Sequence, residues 1–184
     1  TRRTIEQADQ MALLVKYENE QDGELQLEHL MKAGVVKGDD IVLVSIIGVN
    51  GEVIASSRQL RLLNLSDRDY FRRHAAHDTG ALDISEPVVG RSSGRPLIQL
   101  SRRLNHRDGS FAGIVLLSVT PDYFTGFYAE TDLGAQGSLS FVGTDGTFRA
   151  GRTGSESTSV DDGIGESLVA HARDSQSGVF ESTS

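Results

Sequence analysis

The sequence predicts an α+β domain, and three observations carry that prediction. A long proline-free stretch rich in Glu, Gln, Leu, Lys and Ala opens the chain, β-rich apolar runs begin near residue 41, and after the opening helix the runs come in the order two strands, helix, three strands. Such an order gives an antiparallel sheet with helices set against it.

Residues 1–34 read as helix. Ile5, Ala8, Ala12 and Val15 form one apolar stripe, and Leu27, Leu30 and Met31 resume it after a polar interruption at Asp22-Gly23. So narrow a stripe suits a partner helix, which predicts a homodimer through this helix, or else one edge of a domain. Ile41–Ile47 is a strand, and Asn50-Gly51 turns it into a second strand at 53–57. Ser66 with Asp69 three positions on resembles a capping box and predicts a helix over 67–77. The run 84–89 carries Pro87, which cannot donate to a ladder, and so predicts an edge strand. Leu97–Leu104 and Phe111–Val119 form a hairpin across 105–109, and Ile114-Val115-Leu116-Leu117, apolar on both faces, belongs in the sheet centre. Pro121 opens a helix over 122–128.

A segment recurs at an offset of 95 residues: Val44–Gly51 aligns without gaps on Leu139–Gly146, and Ala55 falls on Ala150. Hairpins closed by Asn-Gly or Asp-Gly resemble each other in any case. Duplication is favoured because both copies lead into the same succession. A polar stretch gives way to a helix, at 67–77 in the first and 164–173 in the second, where a strand then begins at Val179-Phe180. On this reading the chain holds one complete domain, 35–135, and a second copy, 136–184, that stops before its last strands.

The formal net charge of −8 argues against nucleic acid, because Arg72-Arg73 and Arg102-Arg103 sit among acidic neighbours. The chain has no cysteine, and no apolar run approaches the roughly 20 residues that span a bilayer. It opens at Thr1-Arg2-Arg3, inside an amphipathic pattern and without a signal peptide, as expected of a segment of a longer protein. Nothing in the sequence asks for a cofactor. His74 and His77 share a helix face with no third ligand in sight, so they read as two solvated histidines rather than a metal site. Gly90-Arg91-Ser92-Ser93-Gly94 matches the Gly-x-Ser-x-Gly pattern of serine hydrolases. That motif needs a helix after the serine, whereas Arg95-Pro96 and a β-run come next here, so the stretch reads as a hairpin loop.

Asn64-Leu65-Ser66-Asp67-Arg68-Asp69-Tyr70-Phe71-Arg72, Ser85-Glu86-Pro87-Val88-Val89-Gly90-Arg91, Leu100-Ser101-Arg102-Arg103-Leu104 and Asp122-Tyr123-Phe124 together resemble the double Cache domains of bacterial sensors. The most similar subgroup is found outside the membrane in diguanylate cyclases, their phosphodiesterase relatives, histidine kinases and chemoreceptors. The resemblance implies a PAS-like antiparallel five-stranded sheet with flanking helices, with no catalytic activity of its own. It also implies an N-terminal signalling helix (1–34), a ligand-binding membrane-distal domain (35–135) and the start of a membrane-proximal domain (136–184). Transmembrane segments would lie outside this sequence, placing it on the periplasmic side of the inner membrane, with a cytoplasmic output beyond them.

In amino-acid-binding members of that family an Arg-x-Trp-Tyr run grips the ligand carboxylate, while a second tyrosine and an aspartate hold the ammonium. By resemblance Arg68 and Tyr70 match the arginine and the first aromatic, and Phe71, Val88 and Ser118 stand where the family has tyrosine, tyrosine and aspartate. Arginine pairs well with a carboxylate, whereas a buried ammonium needs an anion. These replacements therefore predict a small anionic, carboxylate-like ligand, with Arg91 at the pocket rim. The alternatives are a ligand-free structural module and the serine hydrolase weighed above.

Overall fold

The computed structural model describes residues 2–22, 27, 41–58, 63–127, 134, 137–154 and 156–158. A 21-residue helix, α1 (Arg2–Asp22), precedes β1 (Ile41–Gly48) and β2 (Val53–Ser56). Next come α2 (Asp69–Ala76), the two-residue strands β3 (Asp83–Ile84) and β4 (Val88–Val89), the hairpin β5 (Pro96–Asn105) and β6 (Phe111–Val119), and α3 (Asp122–Thr125). β7 (Ser138–Val142), β8 (Phe148–Thr153) and β9 (Glu156–Thr158) make a separate three-stranded sheet. β9 was not expected from its Gly/Ser/Thr-rich surroundings. The second predicted helix, at 164–173, lies outside the described residues, as does most of 23–34.

The main sheet runs β2-β1-β6-β5-β3, with β4 also paired to β5, and every pairing is antiparallel. The five-stranded expectation becomes six strands because the edge strand is split. β3 pairs Ile84 with Leu100 and β4 pairs Val88 with Leu97, so both lie on the same side of β5 and are separated by Ser85-Glu86-Pro87. Pro87, the residue that marked this run as an edge, sits in the break. β6 holds the centre, between β1 and β5, as its apolar run requires.

Alternation along the strands builds two cores. Val44, Ile46, Ile98, Leu100, Leu104, Val115, Leu117 and Val119 face α1, whose Ala8, Ala12 and Val15 are fully buried against them. Asp9 clasps Arg102 with two bonds of 2.5 and 2.9 Å, and Lys16 reaches the carbonyl of Arg103 at 2.9 Å. The apolar stripe is therefore occupied by the chain's own sheet, which is the domain-edge alternative for it. Two alanines let the helix lie close to the strands, so a narrow stripe is enough.

On the opposite face, Ile47, Ile114 and Leu116 pack under α2 with Leu65, Tyr70 and Phe71. Phe71 meets the Phe111 ring edge-on at 5.4 Å. α2 is shorter than predicted and has no side-chain N-cap bond. The capping box does not form, because the Ser66 amide and hydroxyl both donate to Oδ1 of Asn64, at 2.9 and 2.6 Å. His74 also departs from expectation: it is buried at 3% exposure, with Nε2 3.1 Å from the carbonyl of Ser101.

Candidate functional site

The face of the sheet under α2 carries a polar stripe within its apolar core. Ser45, Gln99, Ser101 and Ser118 are all buried there. Gln99 and Ser118 are register partners on β5 and β6, and the Ser118 hydroxyl donates to Oε1 of Gln99 at 2.6 Å. At the split in the edge strand Ser85 holds the Gln99 backbone from both sides. Its amide donates to the Gln99 carbonyl at 2.9 Å, and its hydroxyl accepts from the Gln99 amide at 3.0 Å.

Arg68, Tyr70, Val88, Arg91, Gln99 and Ser118 line a cavity of ≈ 40 Å³ over this stripe. Five of these six residues were singled out from sequence; the structure adds Gln99. Phe71 does not line it. Its ring lies in the apolar core behind, against Phe111. Ser92 lies at the cavity's edge, but it leads into a turn and then β5 rather than a helix.

Arg68 occupies the N-cap of α2, in extended conformation, rather than its first turn. Its Nη2 donates to the carbonyl of Val89 at 3.1 Å, while its Nε is buried with no partner among the described residues. The two flanking aspartates do not neutralise it: Asp67 pairs with Arg91, which also donates to the carbonyl of Asn64. That bond from Arg91 holds the Asp67 carboxyl below its usual pKa. Tyr70 is 4% exposed, and burial pushes its phenol up to about 12, so it stays protonated.

On the other side of Arg68 and Tyr70 lies a larger groove of ≈ 520 Å³, also lined by Arg73, Asp83, Glu86, Asp145 and Arg149. Arg73 engages Asp83 with bonds of 2.6 and 2.7 Å. Arg149, from the three-stranded sheet, grips Asp145 at 2.9 and 2.8 Å and donates to the carbonyl of Ile84 at 3.3 Å. This pairing holds the Asp145 carboxyl well below the usual carboxylate range. Asp69 and Glu86 also face the groove, with no ion pair among the described residues. Carboxylates are thus available near Arg68, although none stands at position 118. That Glu86 shares this groove was hidden in the sequence because it comes from the split in the edge strand, 18 positions from Arg68. Among the described residues no cluster of acids and histidines could hold a metal, and no helix is long and apolar enough to cross a membrane.

No family model and no curated protein matches the chain. Among solved structures it is similar to the extracellular domain of rpHK1S-Z16, assigned as a histidine kinase, with a TM-score of 0.74 and 26% identity over 94% of this chain and 72% of that one. It is also similar to an extracellular ligand-binding receptor from Desulfohalobium retbaense, with a TM-score of 0.67 and 14% identity over 92% of this chain and 32% of that one. A third is the ligand-binding domain of the Campylobacter jejuni chemoreceptor Tlp3, solved with 4-methylisoleucine, at TM-score 0.54 and 12% identity over 80% of this chain and 61% of that one. The chain has the fold of a Cache-type extracytoplasmic sensor domain. The solved structures it resembles are extracellular and ligand-binding domains of receptors and a histidine kinase, not enzymes themselves.

Proposed function

We propose that this domain senses a small anionic, carboxylate-like ligand for a bacterial membrane signalling protein of the histidine kinase, diguanylate cyclase or chemoreceptor type. On this reading 35–135 is the membrane-distal unit that binds the ligand, and 136–184 begins a membrane-proximal unit. The observation that carries it is Arg68. A guanidinium whose Nε is buried without an acceptor, at the wall of a cavity floored by hydroxyl and amide groups, offers charge-assisted bonds to an anion. Val88 and Ser118 offer no charge to an ammonium at that floor.

A second reading has its own support. The ligand-binding domains of chemoreceptors with this fold were solved with L-alanine, GABA and L-Arg. The groove beyond Arg68 presents Asp69 and Glu86, which suit an amine. An amino acid would then place its carboxylate on Arg68 and its ammonium in the groove.

Calorimetry separates the two. Wild type is titrated with acetate and propionate and with their amino counterparts, glycine and alanine. The anion reading expects the plain carboxylates to bind more tightly. Removing a charge-assisted bond costs about 1.5–3 kcal/mol, so Arg68→Ala should weaken binding roughly ten- to a hundredfold. Preference for the amino acids supports the second reading instead. Equal binding by Arg68→Ala defeats both.

A further inference from the structure

We propose that Gln99 is the second anchor of the ligand, and that the ligand is a monocarboxylate of one or two carbons. The inference rests on the anion reading above and adds a specificity residue and a size. Gln99 is 4% exposed and lies in the middle of β5, one strand from the centre of the sheet. Its backbone is fixed by Ser85, and its Oε1 accepts the Ser118 hydroxyl. That bond orients the amide, leaving the two N–H groups of Nε2 without an acceptor among the described residues, on a side chain that lines the ≈ 40 Å³ cavity. A buried amide is ordinarily fully hydrogen-bonded. Arg68 lines the same cavity, and its buried Nε–H has no partner among the described residues.

The Gln99 amide and the Arg68 guanidinium therefore supply the cavity with donors, and no carboxylate among the described residues lines it. Its complement is a group with two acceptor oxygens and no proton to give, which describes a carboxylate and excludes an ammonium. Volume sets the size. A water-sized occupant takes about 10–15 Å³ on this measure, so ≈ 40 Å³ admits about three or four heavy atoms before any side chain moves. Acetate has four.

The first test reads the amide itself. In ¹⁵N-labelled wild type, the Gln99 side-chain amide signals, assigned by their loss in Gln99→Glu, should shift saturably with acetate. Calorimetry then compares acetate, propionate and succinate against wild type, Gln99→Leu and Gln99→Glu, with thermal melts to confirm folding. Gln99→Leu removes the donors and should weaken acetate binding at least tenfold. Gln99→Glu keeps the acceptor for Ser118 but turns an anion toward the ligand, and should abolish measurable binding. Acetate should outcompete succinate. Variants that bind acetate within twofold of wild type, static amide signals, or tighter binding of succinate would overturn the proposal while leaving the role of Arg68 intact. Preference of wild type for glycine over acetate would support the amino-acid reading, with the ammonium against Asp69 and Glu86, and this too overturns it. If wild type binds no carboxylate at all, the anion reading falls first and this inference with it.

Discussion

Tyr70 and His74 stand one turn apart on the same short helix, and burial acts on both through the cost of charging a group away from water. For Tyr70 the phenol is raised from 10 to about 12, which favours the neutral form when folded. Its contribution to stability is complete below pH 10 and is lost as pH rises toward 12. Spectroscopic titration should therefore show one of the four tyrosines ionising late, and Tyr70→Phe should remove that step. An unchanged titration curve in the variant would show that Tyr70 ionises in water. His74 moves the other way: burial lowers it from 6.5 despite the nearby Asp83. The stability it contributes is present above pH 6.5 and is lost as pH falls through its lower folded value. Denaturant midpoints measured from pH 7.5 down to 5 should fall for wild type and stay flatter for His74→Gln. Equal slopes would place the imidazole in solvent. Tyr70 was legible in the sequence only through the family motif around it, whereas Arg68 also stood out by its place at the start of a predicted helix. Gln99 was not legible, because a lone glutamine in a strand reads as a solvent-facing position. The available signal was its place between Ile98 and Leu100, opposite Ser118 in a run otherwise apolar on both faces.

At the scale of elements, the strands were legible because period-two patterning and turn residues act locally. Helix ends were less so. Ser66 had two bonding options, and Asn64 won it from the cap. The partner of α1 was illegible, since a stripe of two alanines with Ile5 and Val15 fits a second helix or a sheet equally well. The structure settles that choice, and Ala12→Asp tests it: a charge placed at a fully buried position against β5 and β6 should destabilise the fold by several kcal/mol. A stable Ala12→Asp that changes only its association state would restore the helix-pair expectation. Gly113 tests the central strand. It adopts φ +130°, and an added Cβ would lie 2.0 Å from the carbonyl oxygen of Ile47. Gly113→Ala should therefore break the β1–β6 pairing and leave little folded protein by circular dichroism, whereas a wild-type melt would contradict the strand assignment.

For the whole molecule, the internal repeat is the instructive case. The two aligned hairpins share a turn in which Gly48 bonds Glu52 and Gly143 bonds Thr147, with the register shift at equivalent positions. Yet the β5–β6 hairpin closes the same way, through His106 and Ser110. The turn alone therefore does not argue duplication. The joints between the three-stranded sheet and the rest include Phe141 stacked on Phe124 at 4.6 Å, Arg149 on the Ile84 carbonyl and Arg152 beside Asp122 at 3.8 Å. Arg149→Ala should raise amide exchange in β7–β9 at least tenfold while sparing β1, β5 and β6, because it strips partners from the carbonyls of Ile84 and Thr147. Uniform or unchanged exchange would remove Arg149 as a joint. Ile84 borders the break in the edge strand and Val89 accepts from Arg68, so that strand connects the ligand cavity to the second sheet. All of this depends on what occupies the cavity. The most direct measurement is a crystal structure of the wild-type domain grown with acetate. One carboxylate is expected within hydrogen-bonding distance of Arg68 Nε and the Gln99 amide; a ligand seated instead against Asp69 and Glu86, or a cavity holding only water, would contradict the anion-pocket reading.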